Sequence, residues 1–408
     1  MEHLTISDDS SGLADVPGFA LAGVACDIRG QGTDRLDLAV VFSASPCTAA
    51  GVFTRNVVKA APVTLCRELL ERTSDFHGII ANSGNANACV GSQGMTDAKT
   101  MAKLVEQGLG VPTGSMFVCS TGRIGRPLPM DRVEAGIKKA VACVESTPEQ
   151  SERAADAILT SDTRRKTITV RFRHEHNVFT VAGMAKGAGM IEPNMATMLA
   201  FVATDLAAPS SLLQGVLDQS VPGSYNAITV DGDMSTNDTV LVLANGKSGV
   251  RLEKPSGGLY LKFCQAVRAV NNSLAEKIVS DGEKITKVVE LIITGALTDE
   301  DAGKVARSIG NSLLVKSSWY GEDPNWGRLA SSAGAAGATF DPDKLNLSYG
   351  DIPVLVNGVR QEENAARWKE IVRRGRFTVR IDLQAGDGEF RLLATDLTEG
   401  YVNFNRSE

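Results

Sequence analysis

The sequence has few histidines and few aromatic residues. Only 4 of its 408 residues are histidine, and aromatic residues make up 5%. His3, His77, His174 and His176 all lie outside the glycine-rich segments, where a histidine base of a Ser-His-Asp or Cys-His enzyme is expected. The pair in His174-Glu175-His176 is typical of a solvated turn, with metal ligation as the alternative. This scarcity favours chemistry in which the nucleophile carries its own base.

Several other features are missing. No stretch of 18 apolar residues could span a membrane, and the first ten residues have neither the basic nor the apolar region of a signal peptide. The seven cysteines are widely spaced and form no Cys-x-x-Cys, which indicates reduced thiols in a cytoplasmic protein. The net charge of −6 argues against a nucleic-acid or anionic-membrane partner. The short basic cluster Arg164-Arg165-Lys166 is expected to be a solvated face.

Strand-like and helix-like segments are mixed along the whole chain, which predicts an α/β protein. A length of 408 residues suggests two or three domains. We place a boundary near residue 284, between a core of residues 1–284 and a C-terminal domain of residues 285–408. The patterns predict strands over 36–43, 78–81, 116–119, 167–173, 288–294, 313–318, 354–356, 377–383 and 389–394, and helices over 96–108, 130–144, 259–278, 299–309, 326–337 and 362–373.

The most informative segment runs from Lys186 to Phe201. Gly187 permits a sharp bend, Pro193 fixes one backbone dihedral, and the small Ala196 precedes Thr197. An apolar run that is typical of a buried strand follows. Cleavage before Thr197 would give that residue a hydroxyl nucleophile and a free α-amine as its base. The alternative is an ordinary loop before a core strand.

The segment Asp231–Asp238 is rich in acidic and polar residues. It fails as a calcium loop, because Thr236 stands where glycine is needed and Val242 where glutamate is needed. A network of turns is the preferred interpretation.

A second polar region follows two predicted strands. Residues 81–88 are dense in small and amide side chains, so they could orient a polar ligand or form a series of Asx turns. Thr121-Gly122 follows the strand that ends at Cys119. A hydroxyl and a backbone N–H at such a strand end can form an oxyanion hole.

Together these segments resemble the glutamate N-acetyltransferase/ornithine acetyltransferase family (ArgJ) over nearly the whole chain. The matching blocks occur in one order, which makes a chance match very unlikely. They are Thr48–Thr54, Lys59–Val63, Asn82–Cys89, Ser120–Gly122, Lys186–Phe201, Asp231–Thr239, Asp281–Glu283, Gly321–Arg328 and Tyr401–Asn405.

The resemblance implies a self-processing, N-terminal-nucleophile type of fold: an αββα sandwich with a smaller C-terminal α+β domain. It implies cleavage between Ala196 and Thr197, which gives an α chain of residues 1–196 and a β chain of residues 197–408. Thr197 looks like the nucleophile, and Thr121 and Gly122 look like the oxyanion hole. Two α and two β chains are expected to assemble, without cofactor or metal.

The reaction implied is transfer of the acetyl group of N2-acetyl-L-ornithine to L-glutamate through an acetyl-Thr197 intermediate, with acetyl-CoA as an additional donor in a bifunctional enzyme. The residues that look like substrate contacts are Thr163, Lys186, Thr197, Glu283 and Asn405.

Four positions depart from the family pattern: Glu192, Ala227, Met234 and Lys284. The resemblance also leads us to expect a Ser or Thr about five residues after Asn405, a contact for which Ser407 could substitute. These departures keep open a paralogue with another acceptor. A self-processing amidase or aminopeptidase-type hydrolase and an unprocessed ligand-binding relative are the remaining alternatives.

Overall fold

A computed structural model of the chain describes residues 4–8, 11–192 and 198–407. It is a mixed α/β protein, which confirms the predicted fold class. The predicted cleavage position, Ala196–Thr197, lies outside the described residues. Among the residues that are described, no helix is both long enough and apolar enough to cross a membrane.

The chain divides into two compact units, each built from three segments. Unit 1 comprises Met1–Gly187, Asn194–Asn226 and Met234–Ile278. Unit 2 comprises Ala188–Pro193, Ala227–Asp233 and Val279–Glu408. The expected boundary between residues 284 and 285 stays a prediction about domain organisation.

Unit 1 is organised around a mixed sheet. Its strands are β1 (Leu4–Ser7), β2 (Phe19–Val24), β3 (Leu38–Phe53), β4 (Phe76–Asn82), β5 (Met116–Ser120), β6 (Lys166–His174), β7 (Asn177–Lys186), β8 (Leu199–Thr204) and β9 (Thr239–Ala244). The order across the sheet is β1-β6-β7-β8-β9-β3-β4-β5, with β2 paired to β3. The pairs β8–β9 and β4–β5 are parallel.

The long strand β3 connects two parts of this sheet. Its first half pairs with β2 and β4, and after an irregularity between Phe42 and Cys47 its second half pairs with β9. Phe53 therefore lies opposite Thr239, which in turn lies opposite Leu199 at the start of β8. As a result, the ends of β3 and β7 and the starts of β8 and β9 meet at one edge.

The helices of unit 1 cover the sheet. They are α1 (Ala61–Arg72), α2 (Ser92–Leu109), α3 (Met130–Ala142), α4 (Pro148–Ala157), α5 (Ser210–Ser220) and α6 (Gly258–Val279), whose last residue belongs to unit 2. Residues of β8 such as Phe201 and Ala203 pack into the main apolar core. All six residues of β8 are buried, which explains the unbroken apolar run in the sequence.

Unit 2 has its own sheet, in the order β13-β12-β11-β14-β10-β15, and its own apolar core. The strands are β10 (Val288–Ala296), β11 (Asn346–Tyr349), β12 (Ile352–Val356), β13 (Val359–Arg360), β14 (Arg376–Asp382) and β15 (Gly388–Thr395). The helices are α7 (Asp299–Gly310), α8 (Leu313–Tyr320), α9 (Trp326–Gly334), α10 (Ala365–Val372) and α11 (Glu399–Phe404).

One predicted element is wrong in type. The strand expected over 313–318 is helix α8, which begins after Ser312, whose hydroxyl accepts the N–H of Val315. Val315 and Trp319 are buried at helical spacing, while Leu313 and Leu314 are 66% and 60% exposed. The two exposed leucines give this run the apolar composition of a buried strand, which is the cause of the wrong prediction. Helix α9 also ends at Gly334, three residues before the predicted end.

Candidate active site

Thr121 and Gly122 follow β5 and present two donors. The N–H of Thr121 donates to the Asn82 carbonyl (3.0 Å), so only its hydroxyl is left for a ligand. Among the described residues, neither that hydroxyl nor the Gly122 N–H has a hydrogen-bond partner. Gly122 has φ of +133°, and a Cβ there would lie 2.4 Å from the Gly84 carbonyl carbon. Only glycine fits this position.

Buried amide side chains hold this corner in place. Ser120 donates its hydroxyl to Asn82 Oδ1 (2.6 Å), and Asn82 Nδ2 donates to the Asn85 carbonyl (2.9 Å). Asn237 Nδ2 donates to the carbonyls of Ala86 (2.6 Å) and Ser120 (2.8 Å). Asn237 thereby links the segment before β9 to the residue that precedes Thr121. The amide-rich segment is a structural support for the two donors.

Lys186, at the end of β7, belongs to a buried charged group. Asp162 Oδ1 accepts from Lys166 Nζ (2.7 Å) and from the Gly187 N–H (2.6 Å). Asp162 Oδ2 lies 3.9 Å from Lys186 Nζ. Two buried lysines and one carboxylate thus lie close together in the interior of unit 1. A buried lysine of this kind lowers the pKa of a nearby amine and favours its free-base form.

The electrostatics of this group favour the ionised aspartate. Burial acts to raise the pKa of Asp162, but the charges of Lys186 and Lys166 and the N–H of Gly187 outweigh it and lower the pKa below its usual range. Lys166 is fully buried. The expectation that Arg164-Arg165-Lys166 is a solvated face is therefore wrong for its third member. Thr163, next to Asp162, is exposed.

Met198 marks the downstream side of the predicted cleavage position. Its N–H donates to Asp238 Oδ1 (2.7 Å), and its carbonyl accepts the Thr239 N–H (3.0 Å). Asp238 is 2% exposed, and burial raises its pKa well above the usual range, although the Met198 N–H and the Lys186 charge act to lower it. Both polar groups of the Met198 backbone are fixed.

In unit 2, the structure brings together the predicted contacts Glu283 and Asn405. Asn405 Nδ2 donates to Glu283 Oε2 (3.3 Å) and to the Tyr401 carbonyl (2.9 Å). The N–H of Glu283 donates to the Ala188 carbonyl (3.0 Å). A Cβ on Gly189 would lie 2.3 Å from the Glu283 carboxylate, so this position must be glycine for the carboxylate to lie where it does.

Asp231 holds the loop upstream of the predicted cleavage position. Its two oxygens accept the N–H groups of Met190 (2.6 Å) and Ile191 (2.7 Å), and Oδ2 also accepts the Tyr401 hydroxyl (3.2 Å). Burial raises the pKa of Asp231, and the same N–H groups act to lower it. Since its oxygens bind protein donors, Asp231 serves as a turn-forming residue.

Two of the four departures from the family pattern, Glu192 and Lys284, have local partners. Glu192 accepts a hydrogen bond from Asn311 Nδ2 (2.7 Å) and lies 3.6 Å from Arg307 Nη1. Lys284 Nζ lies over the Phe404 ring, 5.3 Å from its centroid. Both side chains are thus used within unit 2. Over the described ranges, no group of three His, Cys, Asp or Glu side chains has the arrangement of a metal site.

The predicted site residues therefore fall into two groups. Thr121, Gly122, Thr163 and Lys186 lie in unit 1, while Glu283 and Asn405 lie in unit 2. Sequence reasoning missed the buried pair of Asp162 and Lys166. An acidic residue four positions before a lysine is too common to indicate a buried ion pair.

Known proteins resemble this chain over nearly its whole length. The model of the ArgJ family matches residues 20–407. The arginine biosynthesis bifunctional protein ArgJ of Symbiobacterium thermophilum is 45% identical over 398 residues, which are 98% of this chain and 98% of the relative. The protein of the same name from Thermotoga neapolitana is 45% identical over 394 residues, covering 95% and 98%.

Two solved structures are also similar. One is ornithine acetyltransferase complexed with ornithine from Mycobacterium tuberculosis, with 41% identity, a TM-score of 0.44, and coverage of 47% of this chain and 98% of that chain. The other is arginine biosynthesis bifunctional protein ArgJ from Bacillus halodurans, with 33% identity, the same TM-score and the same coverage. On the family match and the full-length relatives, this chain belongs to the ArgJ family.

Proposed function

We propose that this protein is an acetyltransferase of arginine biosynthesis, which transfers the acetyl group of N2-acetyl-L-ornithine to L-glutamate. The observation that carries the proposal is family membership across residues 20–407, at 45% identity to bifunctional arginine biosynthesis proteins. The pair of donors on Thr121 and Gly122 supports acyl transfer as its chemistry. A bifunctional enzyme would also accept acetyl-CoA as donor.

The proposed nucleophile is Thr197, released by self-cleavage after Ala196. Its hydroxyl oxygen attacks the acetyl carbonyl carbon, and its α-amine takes the hydroxyl proton. The amide C–N bond breaks, and the departing ornithine nitrogen takes that proton. The amine of glutamate then attacks the carbonyl carbon of the acetyl-threonine ester, and the Thr197 α-amine takes a proton from that nitrogen. The ester C–O bond breaks, the Thr197 oxygen takes the proton back, and N-acetylglutamate leaves. An unperturbed α-amine, with a pKa of about 7.7–8.0, is a suitable base near neutral pH.

The tetrahedral intermediates carry a negative charge on the former carbonyl oxygen. We assign its stabilisation to the Thr121 hydroxyl and the Gly122 N–H, which have no other acceptor among the described residues. The buried bonds of Asn82, Ser120 and Asn237 fix these donors before substrate arrives. Such preorganisation lets the donors act without reorganisation during the reaction.

The substrates are amino acids with separated charges, and the site residues offer both signs. The buried Lys186 of the Asp162 group offers a cation, and Glu283 with Asn405 offers a carboxylate and an amide. We assign Thr163, Lys186, Glu283 and Asn405 to substrate binding.

We further propose that two α chains and two β chains assemble in the cytoplasm.

The proposed mechanism needs no histidine base and no cofactor, because the α-amine of Thr197 performs the proton transfers.

The experiment that tests this proposal is intact-mass spectrometry under denaturing conditions, before and after brief exposure to N2-acetylornithine without acceptor. We expect two masses that break before Thr197, the second of which gains one persistent acetyl group. The variant Thr197→Ala should give one full-length mass and no activity.

Three results would contradict parts of the proposal. Two masses without retained acetyl would favour hydrolysis or another donor. A single full-length wild-type mass would exclude self-processing. Cleavage of Thr197→Ala at the same bond would exclude Thr197 as the nucleophile.

A further inference from the structure

Asp238 holds the backbone directly after the proposed nucleophile. The nitrogen of Met198 is covalently bonded to the carbonyl carbon of Thr197, and its N–H donates to Asp238 Oδ1 (2.7 Å). The Met198 carbonyl accepts the Thr239 N–H, which is the first contact of the β8–β9 ladder. Asp238 therefore extends that ladder by one hydrogen bond toward Thr197.

Asp238 is itself rigidly placed. Its carbonyl accepts the N–H of Thr54, the residue after β3, so its backbone is attached to the neighbouring strand. The side chain is 2% exposed. Its second oxygen, Oδ2, is buried and has no hydrogen-bond partner among the described residues. A carboxyl in this setting has little freedom, and its bond to Met198 transmits that rigidity to the peptide after Thr197.

We propose that Asp238 is a positioning residue, whose Oδ1 fixes the Thr197–Met198 peptide during self-cleavage and again during acetyl transfer. This inference rests on the proposed function, since it takes Thr197 as the nucleophile. After cleavage a nucleophile at a chain terminus is covalently attached on one side only, so the hydrogen bond at that peptide limits where its hydroxyl can lie. Displacement of a reacting group by about 1 Å can reduce a rate by about 100-fold.

The role requires a hydrogen-bond acceptor and no charge. Burial raises the pKa of Asp238, which favours the neutral carboxyl. Asparagine has nearly the same shape and keeps an Oδ1 that can accept the Met198 N–H. Asp238→Asn is therefore the conservative variant that should preserve the function, and Asp238→Ala removes the acceptor.

Asp205 provides a matched control in the same strand region. It follows β8 directly, is 4% exposed, and accepts the Thr180 N–H through Oδ1 (3.0 Å). Burial raises its pKa as it does that of Asp238. The two aspartates thus make the same kind of bond at opposite ends of β8. Only one of them is next to the proposed nucleophile.

The experiment follows self-cleavage of the full chain in cell-free translation, stopped at intervals and resolved by intact mass. Wild type, Asp238→Asn, Asp238→Ala and Asp205→Ala are compared, with thermal midpoints measured on the purified proteins. We expect Asp238→Ala to cleave about 10- to 100-fold more slowly than wild type. Asp238→Asn and Asp205→Ala should cleave within about threefold of wild type, although Asp205→Ala also loses stability.

Turnover separates positioning from substrate contact. Processed Asp238→Ala should lose kcat by about the same factor as its cleavage rate, with KM for N2-acetylornithine changed less than about threefold, because Asp238 acts through the peptide and not on the substrate. If the alanine variant does not fold, Asp238→Val leaves a smaller cavity, also lacks an acceptor, and is judged by the same criteria.

Four outcomes would overturn the inference or its basis. Wild-type cleavage and kcat in Asp238→Ala would remove Asp238 from the mechanism and leave the proposed function intact. If Asp238→Asn lowered the cleavage rate as much as Asp238→Ala does, the role would need the negative charge of Asp238, and a neutral acceptor would be refuted. If Asp205→Ala slowed self-cleavage as much as Asp238→Ala does, general destabilisation of the fold would explain both results, and the positioning role would be refuted. Absence of cleavage in wild type would refute the proposed function itself.

Discussion

The backbone on the two sides of residues 193–197 is held in two different ways. Upstream, Asp231 accepts the N–H groups of Met190 and Ile191 in an irregular loop of unit 2. Downstream, Asp238 accepts the N–H of Met198 at the start of a central strand of unit 1. Both use a carboxyl to bind backbone N–H groups. Only the downstream residue is followed directly by a strand, β8, which is hydrogen-bonded to a neighbouring strand on each side, β7 and β9.

The surroundings differ accordingly. Met190 is 41% exposed and has a φ of +57°, so the upstream loop is held by polar contacts and backbone conformation. Downstream, each residue of β8 is buried between β7 and β9. The two sides therefore differ in kind: the upstream side is a loop held by polar contacts, and the downstream side is a strand anchored in the core of unit 1.

The largest expected difference between the two sides is in packing. Phe201→Ala should lower the free energy of unfolding by about 3–5 kcal/mol, because it removes a fully buried ring from the core of unit 1. Met190→Ala should change it by less than about 0.5 kcal/mol. Urea unfolding in the uncleaved Thr197→Ala background measures both. Equal losses would contradict the distinction.

A third aspartate sharpens the comparison through pH. Asp162→Asn removes the buried carboxylate that accepts from Lys166 and lies 3.9 Å from Lys186, and it should cost about 3 kcal/mol near neutral pH. Because the pKa of Asp162 is lowered in the fold, its contribution is present above the unfolded value of about 3.9 and is lost as the pH falls through the folded value. The deficit of Asp162→Asn should therefore shrink below about pH 4.

For Asp238→Asn, we expect the stability difference from wild type to change with pH in the opposite direction. The raised pKa of Asp238 means that the folded state binds its proton more tightly, so wild type loses stability as the pH rises above the unfolded value. The stability of the asparagine variant should therefore increase relative to that of wild type as the pH rises over that range. Thermal midpoints from about pH 2 to about pH 8 in the Thr197→Ala background test both signs, since the Asp162 effect lies below the unfolded value of about 3.9 and the Asp238 effect above it. Parallel curves for the two variants would contradict the assignments.

The smallest expected effect is upstream. Glu192→Gln keeps an oxygen that can accept from Asn311 but removes the charge opposite Arg307, whose pair distance is 3.6 Å with partly exposed side chains. We expect a loss below about 1 kcal/mol and no change in the rate of self-cleavage. A cleavage rate reduced tenfold would contradict this expectation, because it would show that the upstream loop takes part in self-cleavage.

The sequence predicted much of the fold because its strands and helices have clear periodicity, as in β6 and α3. It failed at α8, where two exposed leucines give a helix the composition of a strand. For the candidate site, the glycine-rich segments indicated the position of Thr121 and Gly122. The buried pair of Asp162 and Lys166 could not be predicted from the sequence, because the burial of these charged side chains depends on how the strands that carry Lys166 and Lys186 pack in the fold.

The position of β8 has a consequence for how the protein comes apart. Cleavage between residues 196 and 197 would make β7 and β8, and likewise β3 and β9, neighbours from separate polypeptides. Unfolding would then be a dissociation as well, so its midpoint would rise with protein concentration, whereas that of the uncleaved chain would not. Once denatured, the two halves would have to find each other by diffusion, without the covalent link that guided the first folding.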